Sequence, residues 1–112
     1  MSIMSTTEET IRKQLRDHAI LLYMKGSPEA PKCGFSGRAV STLKQVGVPF
    51  VHVDVLENPF VREALPRVSN FPTFPQLFIG GELVGGSDIV AELARSGELS
   101  RLVQTALNGR AQ

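Results

Sequence analysis

The chain has one cysteine, Cys33, in the stretch Pro31-Lys32-Cys33-Gly34-Phe35-Ser36-Gly37. A loop rich in proline precedes it and a helical pattern follows, which sets the sulfur at the first turn of a helix. The thiolate is the form that attacks disulfides and binds soft metals, and a helix N-terminus or a nearby cation lowers a thiol pKa from its usual value of about 8.5. Lys25 and Lys32 are the cations close in sequence, and Arg38 follows within the next turns of the helix. Three positions beyond Cys33 stands Ser36, where a second thiol could resolve a mixed disulfide. A hydroxyl cannot, so Cys33 must take its partner thiol from outside the chain. The plainer alternative is that a lone cysteine is a small buried hydrophobe. Gly34 and the polar loop weigh against it, because a packing residue needs neither.

The elements that must hold this sulfur can be read in order. Residues 5–17 have helical spacing, with Ile11 and Leu15 on one face and Thr6 and Glu9 at capping-box distance. The apolar run Ala19–Met24 predicts a central strand buried on both faces, and two prolines and a glycine make Lys25–Lys32 a loop. A helix from Cys33 to Val46 is closed by Gly47 and Pro49, and Phe50–Val55 alternates as a strand. Asn58 as N-cap and Pro59 at the first helical position start a short helix that Pro66 interrupts or restarts. Phe71-Pro72-Thr73-Phe74-Pro75 is neither helix nor ordinary strand. Gln76–Ile79, the turn Gly80-Gly81 and Glu82–Val84 form a hairpin. Ser87 caps a helix with Ile89, Val90 and Leu93 inward, and Gly97 breaks it. A last helix runs from Glu98 to Leu107, Gly109 ends it, and Arg110-Ala111-Gln112 is a tail. The order αβαβαββαα predicts an α/β fold with a four-stranded mixed sheet and helices on both faces.

Composition narrows the function classes. The chain of 112 residues reads as a single domain able to bury a core without disulfides. A net charge of +1, with no basic face interleaved with aromatics, gives no expectation of nucleic-acid binding. No apolar stretch is long enough for a membrane span, and Met1-Ser2-Ile3-Met4-Ser5 lacks the basic and apolar regions of a signal peptide. A lone cysteine suits a reducing compartment, so the expected location is the cytoplasm. One cysteine excludes an internal disulfide and a multi-cysteine metal site within one chain. His18 and His52 have no companions at metal spacing and read as structural. Gly80-Gly81 and Gly85-Gly86 make no dinucleotide fingerprint.

Four blocks occur in order: Met24-Lys25-Gly26-Ser27-Pro28, Cys33-Gly34-Phe35-Ser36, Thr73-Phe74-Pro75-Gln76-Leu77 and Gly85-Gly86-Ser87-Asp88. With them the chain, over roughly residues 5–107, resembles the monothiol glutaredoxins of the CGFS type, a thioredoxin-fold family. Two positions depart from the family's pattern. Phe71 stands where tryptophan is common, a change of packing more than of chemistry. Ser87 stands where some members have a second cysteine, which removes the internal candidate for a resolving thiol.

The resemblance implies glutathione as the borrowed thiol, and each part of that tripeptide finds a partner. Lys25 and Arg62 suit its glycine carboxylate, as point charge and fork respectively, though either could be a plain solvated cation. The Phe74 backbone could pair with its cysteinyl residue like an added strand, and the resemblance implies that Pro75, after Thr73-Phe74, is cis. An ordinary turn is the alternative. The helix start at Ser87 and Asp88 offers N–H groups to the γ-glutamyl carboxylate, and the Asp88 side chain could accept from its ammonium. Both residues could equally do no more than cap their own helix.

Three functions follow. In the first, the chain carries a [2Fe–2S] cluster, which needs four thiolates. Two copies of Cys33 and two glutathiones would supply them, predicting a homodimer when cluster-bound and a monomer when apo. The resemblance implies iron–sulfur storage and delivery to acceptor proteins, iron homeostasis and pairing with BolA-like proteins. In the second, the chain is a glutathione-dependent thiol–disulfide oxidoreductase that removes glutathione from proteins, a role in which the family is generally weak. In the third, it is a docking module whose thiol is idle.

Overall fold

The computed structural model describes residues 3–110. In order they form α1 (Ile3–Asp17), β1 (Ile20–Met24), α2 (Gly34–Val46), β2 (Val51–Asp54), α3 (Pro59–Ser69), β3 (Gln76–Ile79), β4 (Glu82–Gly85), α4 (Ser87–Ser96) and α5 (Glu98–Arg110). The strands lie in the order β2-β1-β3-β4. β1 is parallel to β2 and antiparallel to β3, and β3 is antiparallel to β4. This is the expected α/β architecture, with helices on both faces of a mixed sheet.

β1 shows why the unbroken apolar run was needed. Its five residues are all buried, and they alternate between two cores. Ile20, Leu22 and Met24 face the core closed by α2, α4 and α5, with Ala39, Leu43, Val90 and Leu99. Leu21 and Tyr23 face the other core, with Ile11 of α1 and Val61, Ala64 and Leu65 of α3. A strand with period two must be apolar at every position when both faces are covered. Tyr23 sets its ring edge-on to Phe78, with centroids 5.6 Å apart. Its hydroxyl donates to Gln14 Oε1 at 2.7 Å. Burial drives that phenol's pKa well above its ordinary value.

Several local expectations give way. α1 already runs from Ile3, so Thr6 and Glu9 lie inside it and form no capping box. The Thr6 carbonyl accepts from the Thr10 hydroxyl at 3.2 Å, as a mid-helix carbonyl can. Asn58 is the N-cap of α3 by position, but its side chain donates to the Asp54 carbonyl at 2.8 Å and caps nothing. α3 continues through Pro66 to Ser69. One missing N–H does not end a helix whose apolar face, at Val61, Ala64 and Leu65, is held by the core. The stop comes at Asn70, in the left-handed region at φ 56°, whose N–H returns to Pro66 O. α5 likewise runs through Gly109 to Arg110, while Ala111 and Gln112 lie outside the described residues.

Candidate functional site

Cys33 is the N-cap of α2, in extended conformation at φ −150° and ψ 136°, and is partly exposed. Its carbonyl accepts from Gly37 N–H at 3.0 Å, so the backbone enters the helix at this residue. The sulfur closes no hydrogen bond of full cap geometry. Even so, the donors around it hold the thiol pKa below its ordinary value. The Ser36 N–H is the largest cause, opposed by partial burial and joined by the Phe35 N–H, the Ser36 hydroxyl and the Lys25 charge. Lys32 and Arg38, expected as contributing cations, are not among these causes. Arg38 turns instead to Asp88, with Nη1 3.4 Å from Oδ1.

The loop before Cys33 is fastened on three sides. Lys25 N–H donates to Ser36 Oγ at 3.1 Å. Lys32 N–H returns to the Lys25 carbonyl at 2.9 Å. Asp54 Oδ1 accepts from Gly26 N–H at 3.0 Å and from Leu56 N–H at 2.9 Å, tying this loop to the one after β2. Gly26 is fully required there: its φ is +91°, and an added Cβ would lie 2.5 Å from the Ala30 carbonyl. Ser36 is wholly buried. It is therefore more than the absence of a second thiol: it joins the loop to the helix under Cys33.

A groove of about 930 Å³ opens beside the sulfur. All eight residues singled out from the sequence line it: Lys25, Cys33, Arg62, Thr73, Phe74, Pro75, Ser87 and Asp88. Lys25 and Arg62 make no ion pair among the described residues. The Phe74–Pro75 peptide bond is cis. Gly86, not Ser87, is the N-cap of α4, and no side chain caps that helix. Ser87 is buried just inside it. Gly85, at φ +146°, leaves only 2.9 Å between an added Cβ and the Ile89 side chain.

The groove also contains apolar residues that sequence reasoning missed or misplaced. Phe35, 57% exposed, and Ile89, 47% exposed, stand at its lip, and Pro66, Phe71 and Pro72 line it. Ile89 was expected inward. Helical spacing could not tell a groove lip from a core, and Val90 takes the buried seat. The available signal for Phe35 was its place two residues after Cys33, in the first turn of the helix that carries the thiol. Among the described residues no three histidine, cysteine or acidic side chains gather as a metal site, and no helix is long and apolar enough to cross a membrane.

Comparison with known proteins agrees with this geometry. The glutaredoxin family model matches residues 20–84. Glutaredoxin 4 of Escherichia coli (strain K12) is 54% identical over 101 residues, covering 90% of this chain and 88% of that protein. The chain belongs to the monothiol glutaredoxins. The solution structure of reduced poplar apo GrxS14 superposes on this glutaredoxin with a TM-score of 0.80 at 42% identity, over 96% of this chain and 98% of that one. The buckwheat glutaredoxin–glutathione complex has a TM-score of 0.82 at 20% identity, over 93% of each chain, and shares the fold.

Proposed function

We propose that this single-domain glutaredoxin binds glutathione in the groove and that two copies carry a [2Fe–2S] cluster between them. The cluster is cargo, held for storage or delivery to acceptor proteins in iron homeostasis within the cytoplasm, with BolA-like proteins as further partners. The supporting observation is the distribution of charge along the groove. Lys25 and Arg62 line it with no ion pair among the described residues, the start of α4, without a side-chain cap, forms another part of its wall, and the chain's one thiol borders it. A tripeptide with a carboxylate at each end and a thiol between them carries the complementary groups. Cys33, Lys25, Arg62, Thr73, Phe74, Pro75, Ser87 and Asp88 would make the contacts. The ammonium of glutathione would share Asp88 with Arg38.

The donor count favours a shared cluster. Thiolate ligation of a [2Fe–2S] cluster takes four sulfurs, and each chain supplies one. Two chains and two glutathiones complete the set, so holo protein is a dimer and apo protein a monomer. Anaerobic purification with glutathione tests this. The expected result is a brown protein with visible cluster absorption that elutes as a dimer, while Cys33→Ser is colourless and monomeric. Identical elution of the coloured and colourless forms overturns the donor count.

Thiol–disulfide exchange is the second reading, favoured by the partial exposure and lowered pKa of Cys33. The thiolate attacks the glutathione sulfur of a glutathionylated protein, forming a Cys33–glutathione disulfide and releasing the protein thiolate. A second glutathione thiolate then attacks that bond, leaving as glutathione disulfide and restoring the Cys33 thiolate. A colourless protein with rapid deglutathionylation turnover favours this reading over the first.

A further inference from the structure

The segment from Phe71 to Pro75 lines the groove, yet the β3 ladder begins only at Gln76. Among the described residues three hydrogen bonds tie it down. Phe71 N–H donates to the Pro66 carbonyl at 3.3 Å. The other two come from one side chain: Gln76 Nε2 donates to the Phe71 carbonyl at 2.9 Å and to the Thr73 carbonyl at 3.1 Å. Two carbonyls can be met only by a donor, so chemistry fixes which end of the carboxamide faces the turn. Gln76 is wholly buried at the start of β3, opposite Tyr23 of the central strand. Its Oε1 is buried without a hydrogen-bond partner among the described residues. An unpaired buried acceptor is destabilising, and leucine or methionine would fill the same volume without one. A packing role therefore does not account for glutamine here, whereas bracing the turn does.

We infer that Gln76 is a positioning residue: its carboxamide sets the Phe71–Thr73 turn so that the Phe74 backbone is presented to the peptide part of a glutathione disulfide. The inference rests on the glutathione reading above and adds a buried residue that need not touch the ligand. It predicts an effect on recognition of the tripeptide and none on the sulfur itself. The Cys33 thiolate is favoured by the α2 backbone, the Ser36 hydroxyl and the Lys25 charge, and Gln76 is not among its donors.

The test compares two disulfides on one protein sample. With glutathione disulfide, the Cys33 thiolate attacks one sulfur, a Cys33–glutathione bond forms, the original S–S bond breaks, and one glutathione leaves as thiolate with the electron pair. With bis(2-hydroxyethyl) disulfide the same bonds form and break, but the partner has no peptide and no carboxylate. The ratio of the two equilibrium constants measures peptide recognition, and circular dichroism on the same sample confirms that each variant is folded, since an unfolded thiol exchanges with both disulfides and has no groove. The wild-type protein is expected to prefer glutathione disulfide clearly. Gln76→Met, which keeps the volume and removes both donors, should lower the ratio roughly 3- to 10-fold, the range of one or two hydrogen bonds. Its constant for bis(2-hydroxyethyl) disulfide should stay within about twofold, because the thiolate's own donors are untouched. Gln76→Glu, isosteric but turning an acceptor on the two carbonyls, should lower the ratio at least as far. Unchanged ratios in both variants overturn the inference and leave the glutathione reading standing. Equal falls with both disulfides also overturn it, since Gln76 would then act on the thiol. A wild-type protein with no preference overturns the glutathione reading and the inference with it.

Discussion

Helices α2 and α4 pack against each other, and both bring their N-terminal ends to the same groove, but they are finished differently. The first turn of α2 meets an anion belonging to its own chain: the Ser36 and Phe35 N–H groups favour the Cys33 thiolate. The first turn of α4 begins at Gly86, which has no side chain to offer, and no side chain caps it. A helix start carries partial positive charge and unsatisfied donors, and those are stabilised by whatever anion comes to them. One end thus meets a nucleophile of its own chain, while the other has no side-chain cap and has only Asp88 as an acidic residue in its first turn; on the proposed function it receives a carboxylate of glutathione. On that proposal, one structural device, the helix start, serves reactivity at α2 and recognition at α4.

Removing the sulfur breaks this pairing most severely. Cys33→Ser is expected to abolish disulfide exchange and cluster colour while keeping the fold. Serine caps helices well, so thermal unfolding should show α2 unharmed or stabilised by up to ~1 kcal/mol. A Cys33→Ser protein that unfolds readily would mean that the sulfur is structural. The next effect comes from filling the open end. At Gly86 an added Cβ would have room, with Pro75 O at 3.4 Å and Phe71 Cζ at 3.5 Å. Gly86→Asp should raise stability by about 0.5 kcal/mol, because aspartate caps better than glycine. It should also lower the preference for glutathione disulfide roughly 3- to 10-fold, as the new carboxylate repels the ligand's. Stability and preference moving in the same direction would break the comparison.

Smaller effects separate the donors at α2. Because the Cys33 pKa is lowered, alkylation should reach its half-maximal rate at a lower pH than for an ordinary thiol and should fall as acid protonates the sulfur. Ser36→Ala and Lys25→Ala should each move that midpoint upward, the serine change further, since its hydroxyl acts more strongly than the lysine charge. The reverse order would mean that the Lys25 charge outweighs the Ser36 hydroxyl at the sulfur. Arg38→Ala should do least. Its exposed pair with Asp88 is worth about 0–1 kcal/mol, and the alkylation midpoint should not move.

Which of these features could be read from the sequence follows from their range. The placement of Cys33 was legible because a proline-rich loop and a helical pattern meet at that residue, and both are local. The buried β1 was legible because strands covered on two faces leave an unbroken apolar run. The Arg38–Asp88 pair was not, since it depends on how α2 and α4 lie together. Nor was the bracing by Gln76, whose carbonyl partners come within reach only in the folded Phe71–Pro75 turn. At Pro66 a sound local rule met a stronger tertiary one, and packing of α3 on the core prevailed.

Gly26 and Gly85 have a practical consequence for anyone redesigning this groove. Each has a backbone angle and a crowded neighbour that leave no space for a side chain, one beneath the thiol loop and one behind Ile89. They act as fixed points. A library meant to redirect ligand choice should hold both constant and diversify the lip, at Phe35, Thr73 and Ile89, where exposure leaves room for new shapes without disturbing the frame.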